Sequence, residues 1–373
     1  MLGRVSKSPG AWRHAKLTVE AHFTSFDFLL SWPELNARDV LLPLGIRMRR
    51  RDFMTRSAGL AATWPLVARA QQSARPPTIG FLGAISSTGF AKQLAGFGQG
   101  LRDLGYVEGG NLIVEYRWAQ GRYERLPDLA TELVRANVAV IVTHGTPGTL
   151  AAKRATSSIP IVAAIIGDPV ATGVVSNIAR PDGNITGQSF FNPELRSKRI
   201  ELIKEVFPDL PGIAVLVNPD SPAIGPESRA TQVVANSLGV RLQHFQTRSV
   251  SEFKPAFEKM VQAGLRAVEI GDDALMNANS GALAAFAAER RLASIGPTEF
   301  ARAGGLIGYG VDFPAIFRRA PIFVSKILKG AMPSDLPFEQ ATRFEFVLNL
   351  RTAKALGIDV PTATLLRADE VIE

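Results

Sequence analysis

Apolar runs of strand length alternate with runs of helical period along most of this chain, and one of them organises the rest. Residues 159–166 form an unbroken apolar run, too short for a helix and without polar alternation, which predicts a parallel strand covered on both faces. It ends in Gly167-Asp168-Pro169, so a carboxylate stands just past the carboxyl end of a buried strand, where open α/β sheets keep their ligands. Upstream, strands are predicted over 78–82, 111–118 and 138–143, with helices over 90–104 and 123–136 and another after the loop 144–148. Downstream, a short helical stretch over 170–179 and the turn formers at 180–184 lead into a short strand over 184–188. Strands joined by helices of this length predict an α/β fold with a doubly wound parallel sheet.

The second half repeats the plan. Helices over 195–206, 227–238, 250–263 and 278–291 alternate with strands over 212–217, 240–246, 267–270 and 293–295. The unit NVAVIVTHG of the first half has its counterpart in LRAVEIGDD of the second, so two similar lobes are expected to face one another. A strand over 306–310 and a helix over 314–329 are expected to return to the first lobe, with the Pro-rich stretch 332–337 as a further connection. A strand over 344–348 and a helix over 351–357 then close the chain on the second. The expected boundaries are 77–187 with 304–333 for lobe I, and 188–303 with 334–373 for lobe II.

At 373 residues the chain suits two lobes, each burying its own core. The formal charge of +8 is concentrated at the front, because residues 1–70 hold 11 of the 42 Lys/Arg and only 5 of the 34 Asp/Glu, leaving +2 for the remainder. No run of basic residues beyond pairs such as Arg318-Arg319 follows Gln71, which argues against a nucleic-acid partner. From Met48 the chain reads MRRRDFMTRSAGLAATWPLVARAQQ: basic residues, a modest apolar stretch, then Ala68-Arg69-Ala70, the small-x-small pattern of signal cleavage. Arg50-Arg51 before Asp52-Phe53-Met54 resembles a twin-arginine export motif. Residues 48–70 are therefore read as a signal peptide, Met48 as the start, and 1–47 as an upstream or disordered extension. The stretch is interrupted by Thr63, Pro65 and Arg69 and cannot span a bilayer. The absence of cysteine removes disulfides, thiol nucleophiles and a lipid-carrying cysteine, so a mature, monomeric protein free in the periplasm is expected.

Neither GxxxxGK[ST], GxGxxG nor G-x-S-x-G occurs, and metal-binding spacings of His with carboxylates are missing. No catalysis, cofactor or metal is expected. Polar groups do gather at strand carboxyl ends: Ser86, Ser87, Thr146 and Asp168 in the first half, and Ser189, Asn218, Ser221, Asp272, Asp273, Thr298 and Glu299 in the second. Hydroxyls and backbone N–H groups suit a carboxylate, and an aspartate suits an ammonium. Each has another use: Ser86, Ser87, Thr146 and Thr298 suit helix N-caps, Asp168 a turn, and Asp272-Asp273 a cap. Trp118 and Tyr309 could wall a ligand or pack.

The opening IGFL, the run GYVEGGNLIVEYRWAQGRYERLPDLA, the DPV at 168–170, RPDGNITG, the YG at 309–310 and the ending NLRTAKALGIDVPTATLLRADEVIE, together with MRRRDF, resemble ABC transporter substrate-binding proteins of the tryptophan/tyrosine type. The resemblance runs from Met48 to the end. It implies a type I periplasmic-binding-protein fold, with two Rossmann-like lobes, a three-crossing hinge and a cleft that closes on a small organic solute, an amino acid among the candidates. It also implies an inner-membrane permease as partner. By position it places Gly145-Thr146-Pro147, Asp168, Asn218, Ser221 and Asp272-Asp273 at the ligand. The last loop, GDDALMNANS, departs from the TDN of the aromatic amino-acid binders. A sensory module feeding a signalling receptor is the alternative, and an enzyme on the same fold is a third.

Overall fold

The computed structural model describes residues 75–190 and 192–373. The expectations for 1–47 and 48–70 lie outside the described residues.

The first sheet has six strands. β1 (Thr78–Gly83), β2 (Ile113–Trp118), β3 (Val140–Thr143), β4 (Ile161–Ile166) and β5 (Ile185–Ser189) are joined by β11 (Glu339–Gln340) in the order β11-β5-β4-β3-β1-β2. Every pair in it is parallel. β4 is buried along its whole length, as the unbroken apolar run requires. α1 (Ala91–Asp103), α2 (Leu126–Arg135) and α3 (Gly145–Ala155) supply the crossovers.

The second sheet has seven strands. β6 (Gly212–Val217), β7 (Arg241–Gln246), β8 (Ala267–Ile270), β9 (Ala293–Gly296), β10 (Ile307–Gly310), β12 (Glu345–Asn349) and β13 (Glu370–Ile372) run in the order β13-β12-β10-β9-β8-β6-β7. Only β10 with β12 is antiparallel. α4 (Asn192–Val206), α5 (Ile224–Ser237), α6 (Phe253–Gln262), α7 (Ala274–Ala278), α8 (Ser280–Glu289) and α9 (Thr298–Arg302) belong to this half, and α10 (Phe313–Arg319) with α11 (Pro321–Leu328) follow β10. The chain ends through α12 (Leu350–Leu356) and α13 (Thr362–Leu365). These are two Rossmann-like lobes of the type I binding-protein kind. The chain passes between the sheets after β5, after β10 and after β11.

Three expectations need correction. The strand at 306–310 does not return to the first lobe: β10 lies between β9 and β12, and Leu306 and Ile307 pack with Ile295, Phe346 and Leu348 in the second core. The helical part does return, because Phe313, Phe317 and Phe323 join the first core beside Phe81 and Phe97. That helix is also two, α10 and α11, broken at Pro321 where an N–H donor is missing. Finally, residues 170–179 form turns rather than a helix. Gly173 takes φ +71°, and Lys153 Nζ donates to the carbonyls of Gly173 and Val174, which a helix would need for its own ladder.

Candidate functional site

Both sheets carry the strand order 2-1-3-4-5 in their own numbering, which puts a topological switch point between β1 and β3 in one lobe and between β6 and β8 in the other. At such a point neighbouring connections leave to opposite faces and open a crevice beyond the carboxyl ends of the strands. The two crevices supply both walls of one interlobe cleft. Its two adjoining chambers measure about 60 Å³ and about 40 Å³ and share His144, Gly145, Phe190, Asp272 and Ala274. The larger is walled by Phe90, Phe190, Phe313 and Phe317 with Ile85 and Ile165. The smaller is lined by Thr146, Pro147, Tyr123, Ser221 and Asp273.

On the first wall, α3 starts directly after β3, and Gly145 makes the bend at φ +67°, a left-handed conformation that disfavours any Cβ. The first-turn N–H groups of α3 have no intrahelical acceptors. Thr146 is buried, and its hydroxyl has no partner among the described residues. His144, buried and stacked on Phe90 with centroids 4.2 Å apart, accepts a hydrogen bond at Nε2 from the Ala84 N–H, 3.3 Å away. Burial pushes its pKa down to about 3, so the ring is neutral and its hydrogen sits on Nδ1, again without an acceptor among the described residues.

The second wall is acidic. Asp272 follows β8 and is held by a fork from Arg199, with Nη1 and Nη2 at 2.6 and 2.8 Å. Arg199 also donates Nε to the Tyr309 carbonyl at 2.8 Å and Nη1 to Glu269 at 3.4 Å. Arg196, one turn earlier on α4, binds Glu269 at 2.7 Å and Glu227 at 3.0 Å. Both arginines are essentially inaccessible, so this network is a buried floor beneath the cleft. Asp273 differs: it caps α7 by accepting the Leu275 N–H at 2.9 Å, and its other partners are the neutral Asn218 amide and the Tyr123 hydroxyl. Burial raises its pKa to about 6, and no cation partners it among the described residues. Tyr123 comes from the first lobe and donates 3.0 Å to each carboxylate oxygen, so this contact bridges the cleft.

Of the residues singled out in the sequence, Gly145, Thr146, Pro147, Ser221, Asp272 and Asp273 meet in this cleft, with Asn218 behind Asp273. The others lie elsewhere or serve other bonds. Ser86 accepts the Gly89 N–H ahead of α1, and Ser87 is exposed. Trp118, half-buried, stacks on Tyr116 over Gly83 against the core of the first lobe. Asp168 Oδ1 accepts the N–H groups of Val170 and Ala171, the turn-forming use. Ser189 donates to the Gly167 carbonyl at 2.6 Å and faces a separate groove of about 570 Å³ along the hinge segments. Thr298 bonds Glu299 and the Val311 carbonyl, and Tyr309 stacks on Phe344 at the hinge. The hinge groove is larger, but its charges neutralise one another in pairs such as Arg319 with Glu339.

Several residues of the site, lining it or beneath it, escaped the sequence reading. Arg196 and Arg199 sit mid-helix, where a cation reads as a solvated face, and Tyr123 reads as a helix start. Phe90, Phe190 and Phe313 read as ordinary core. Asn277 had a faint signal in the polar insertion NANS.

The model of the family described as ABC transporter substrate binding protein matches residues 78–372. The "Tyrosine-binding protein" of Clostridioides difficile (strain R20291) is 26% identical over 289 residues, covering 77% of this chain and 82% of its own. A crystal structure of a conserved domain protein from Vibrio cholerae superposes with a TM-score of 0.74 at 26% identity, over 79% of this chain and 99% of that one. An ABC domain from Streptococcus pneumonia in complex with L-Trp has the same fold, with a TM-score of 0.72 at 24% identity over 79% and 100% of the two chains. A two-lobed body with its cleft at paired switch points, matched by the family model along nearly the whole described length, belongs to the ABC transporter substrate-binding protein family.

Proposed function

We propose that the cleft receives a zwitterionic solute with an apolar side chain, an α-amino acid of the aromatic type, and hands it to a membrane permease. The observation that carries this reading is the division of polarity between the walls. Lobe I offers donors, the Thr146 hydroxyl, His144 Nδ1–H and the first turn of α3, and no carboxylate, which suits a ligand carboxylate. Lobe II offers Asp273, a carboxylate without a cation partner among the described residues, which suits an ammonium. The phenylalanine-lined chamber beside them takes the side chain once the lobes part enough to widen it beyond its present volume of about 60 Å³. The ligand thereby joins the lobes, and rotation about the three hinge strands opens and closes the site without chemistry. The tyrosine and tryptophan named for two relatives agree with this class.

The basic and apolar pattern of 48–70 supports export, with the mature chain working in the periplasm as a monomer. Among the described residues no helix is long and apolar enough to cross a membrane.

Thermal unfolding against amino acids, the matching amines and the matching carboxylic acids tests the reading. A ligand at about 1,000 times its Kd adds about 4 kcal/mol, a shift of several degrees. Only the zwitterions are expected to reach it, and both Asp273→Ala and Thr146→Val should abolish the shift while remaining folded. Equal shifts from the deaminated acids would remove Asp273 from the site.

A further inference from the structure

The hinge carries a cavity of its own, the groove of about 570 Å³, and every crossing between the lobes contributes to it. Gln188 and Ser189 come from the end of β5, Val311 and Asp312 from the segment after β10, and residues 341–343 from the segment after β11. α10 separates this groove from the cleft: Phe313 and Phe317 line the apolar chamber, and Ala315, Ile316 and Arg319 line the groove. A space of this size is that of a small-molecule site.

Its floor holds an acceptor with nothing to accept from. Gln188 is only 5% exposed, and its Nε2 donates to the Ala164 carbonyl at 2.8 Å and to the Ile316 carbonyl at 3.0 Å. Two carbonyl partners fix the nitrogen end of the amide, so the oxygen is turned the other way. Oε1 has no partner among the described residues, yet it is not one of the polar atoms shut off from solvent, so it opens on the groove that Gln188 lines. Around it the charges are already balanced. Arg319 pairs with Glu339, Glu345 pairs with Arg302 and stands 3.8 Å from Arg343, and Asp312 caps α10 through the Ala315 N–H. A hydroxyl donates and accepts at one atom, so it suits both Gln188 Oε1 and the open edges of these ion pairs. A charged group would meet its own sign beside every opposite one.

We propose that the hinge groove is a second binding site, for a small uncharged molecule bearing several hydroxyl groups, with Gln188 Oε1 as its buried acceptor. The site is separate from the cleft and does not depend on the amino-acid reading. A molecule held there touches all three crossings, so lobe rotation alters its contacts, and its binding favours the hinge arrangement in which the groove is complete.

The test is a calorimetric titration with glucose, mannitol and myo-inositol, set against glucosamine and glucuronate as charged counterparts. At least one of the three neutral probes should bind the wild type, and both charged ones several-fold more weakly. Gln188→Leu should weaken that binding roughly tenfold. Ala315→Trp, at an exposed position of α10, should fill the groove and abolish it, and this variant decides the matter if Gln188→Leu does not fold. Asp273→Ala, which disables the cleft, should leave the affinity for the probe as it is in the wild type. With the probe bound, hydrogen-exchange protection should rise at 188–189, 311–312 and 341–343. Binding of none of the neutral probes, or equal binding of the charged ones, overturns the inference. Binding that survives Ala315→Trp and is lost in Asp273→Ala places the probe in the cleft and overturns it as well.

Discussion

Arg199 lies under the acidic wall, and its removal should be among the most damaging single changes in the second lobe. Its guanidinium donates to Asp272 at 2.6 and 2.8 Å, to the Tyr309 carbonyl at 2.8 Å, and to Glu269 and the Ile270 carbonyl at 3.4 Å each. These bonds tie α4 to the ends of β8 and β10, and the side chains of Arg199, Glu269 and Asp272 are 0%, 0% and 2% exposed. In Arg199→Met the hydrocarbon stem is kept while Asp272 loses its cation and Glu269 is left to Arg196. Breaking a buried pair in this way costs about 3–5 kcal/mol, because the uncompensated charge has no water to turn to. For a body of this size that is a fall in Tm of roughly 10 °C. Arg199→Lys should land between, since an ammonium keeps the charge but cannot fork onto Asp272 and reach Tyr309 together. Thermal melts give the magnitude, and hydrogen exchange locates it: protection should fall in β8 and β10 first. The double variant Arg199→Met with Asp272→Leu should recover more than half of the loss, because the pair is then replaced by apolar surface rather than broken. A single-variant cost below about 1 kcal/mol, the range of exposed ion pairs, would refute the claim that this network is desolvated.

Three further outcomes follow from the cleft. Asp273 has a folded pKa of about 6 against an ordinary 3.8, so its contribution to stability is fully present below pH 4 and is lost as pH rises through 6. Asp273→Asn should therefore gain on the wild type by about 3 kcal/mol between pH 4 and pH 8, and a difference in urea unfolding energy that is flat with pH would contradict the burial of this carboxyl. Tyr123→Phe removes the hydroxyl that joins the lobes at 3.0 Å, and should weaken ligand affinity roughly tenfold while the fluorescence of Trp118, in the first lobe, melts as before. Asp168→Ala gives up the two turn N–H bonds and should cost about 1 kcal/mol of stability with ligand affinity unchanged; a lost ligand would restore Asp168 to the site.

Much of the fold was legible because buried parallel strands announce themselves as unbroken apolar runs. The strands at 212–217 and 267–270 match the structure residue for residue, and each is buried throughout. Sheet membership was not legible. A strand such as β10 has the same composition whichever sheet receives it, and its place is set by Phe346 and Leu348, which come more than thirty residues later in the chain. Helix continuity failed where side chains compete for backbone groups. Lys153 takes two carbonyls of the 170–175 turns, and Asp273 starts a helix earlier than apolar periodicity alone suggests.

The site divides along the same line. Residues at strand ends could be named from sequence, because the carboxyl end of a strand in a doubly wound sheet is a place that topology fixes in advance. What each of them does could not, because Asp272 and Asp273 are adjacent in sequence and opposite in role. Asp272 is neutralised from below by Arg199, 73 residues away, whereas Asp273 meets only neutral donors, one of them from the other lobe at a separation of 150 residues. A single peptide step turns the second carboxylate from the charged floor toward the opposite wall. Charge that is already paired fixes the shape of the cleft, and charge that is left unpaired decides what enters it. On the proposed amino-acid reading the ammonium would go to Asp273, and Asp272→Asn should damage stability more than selectivity, the reverse of Asp273→Asn.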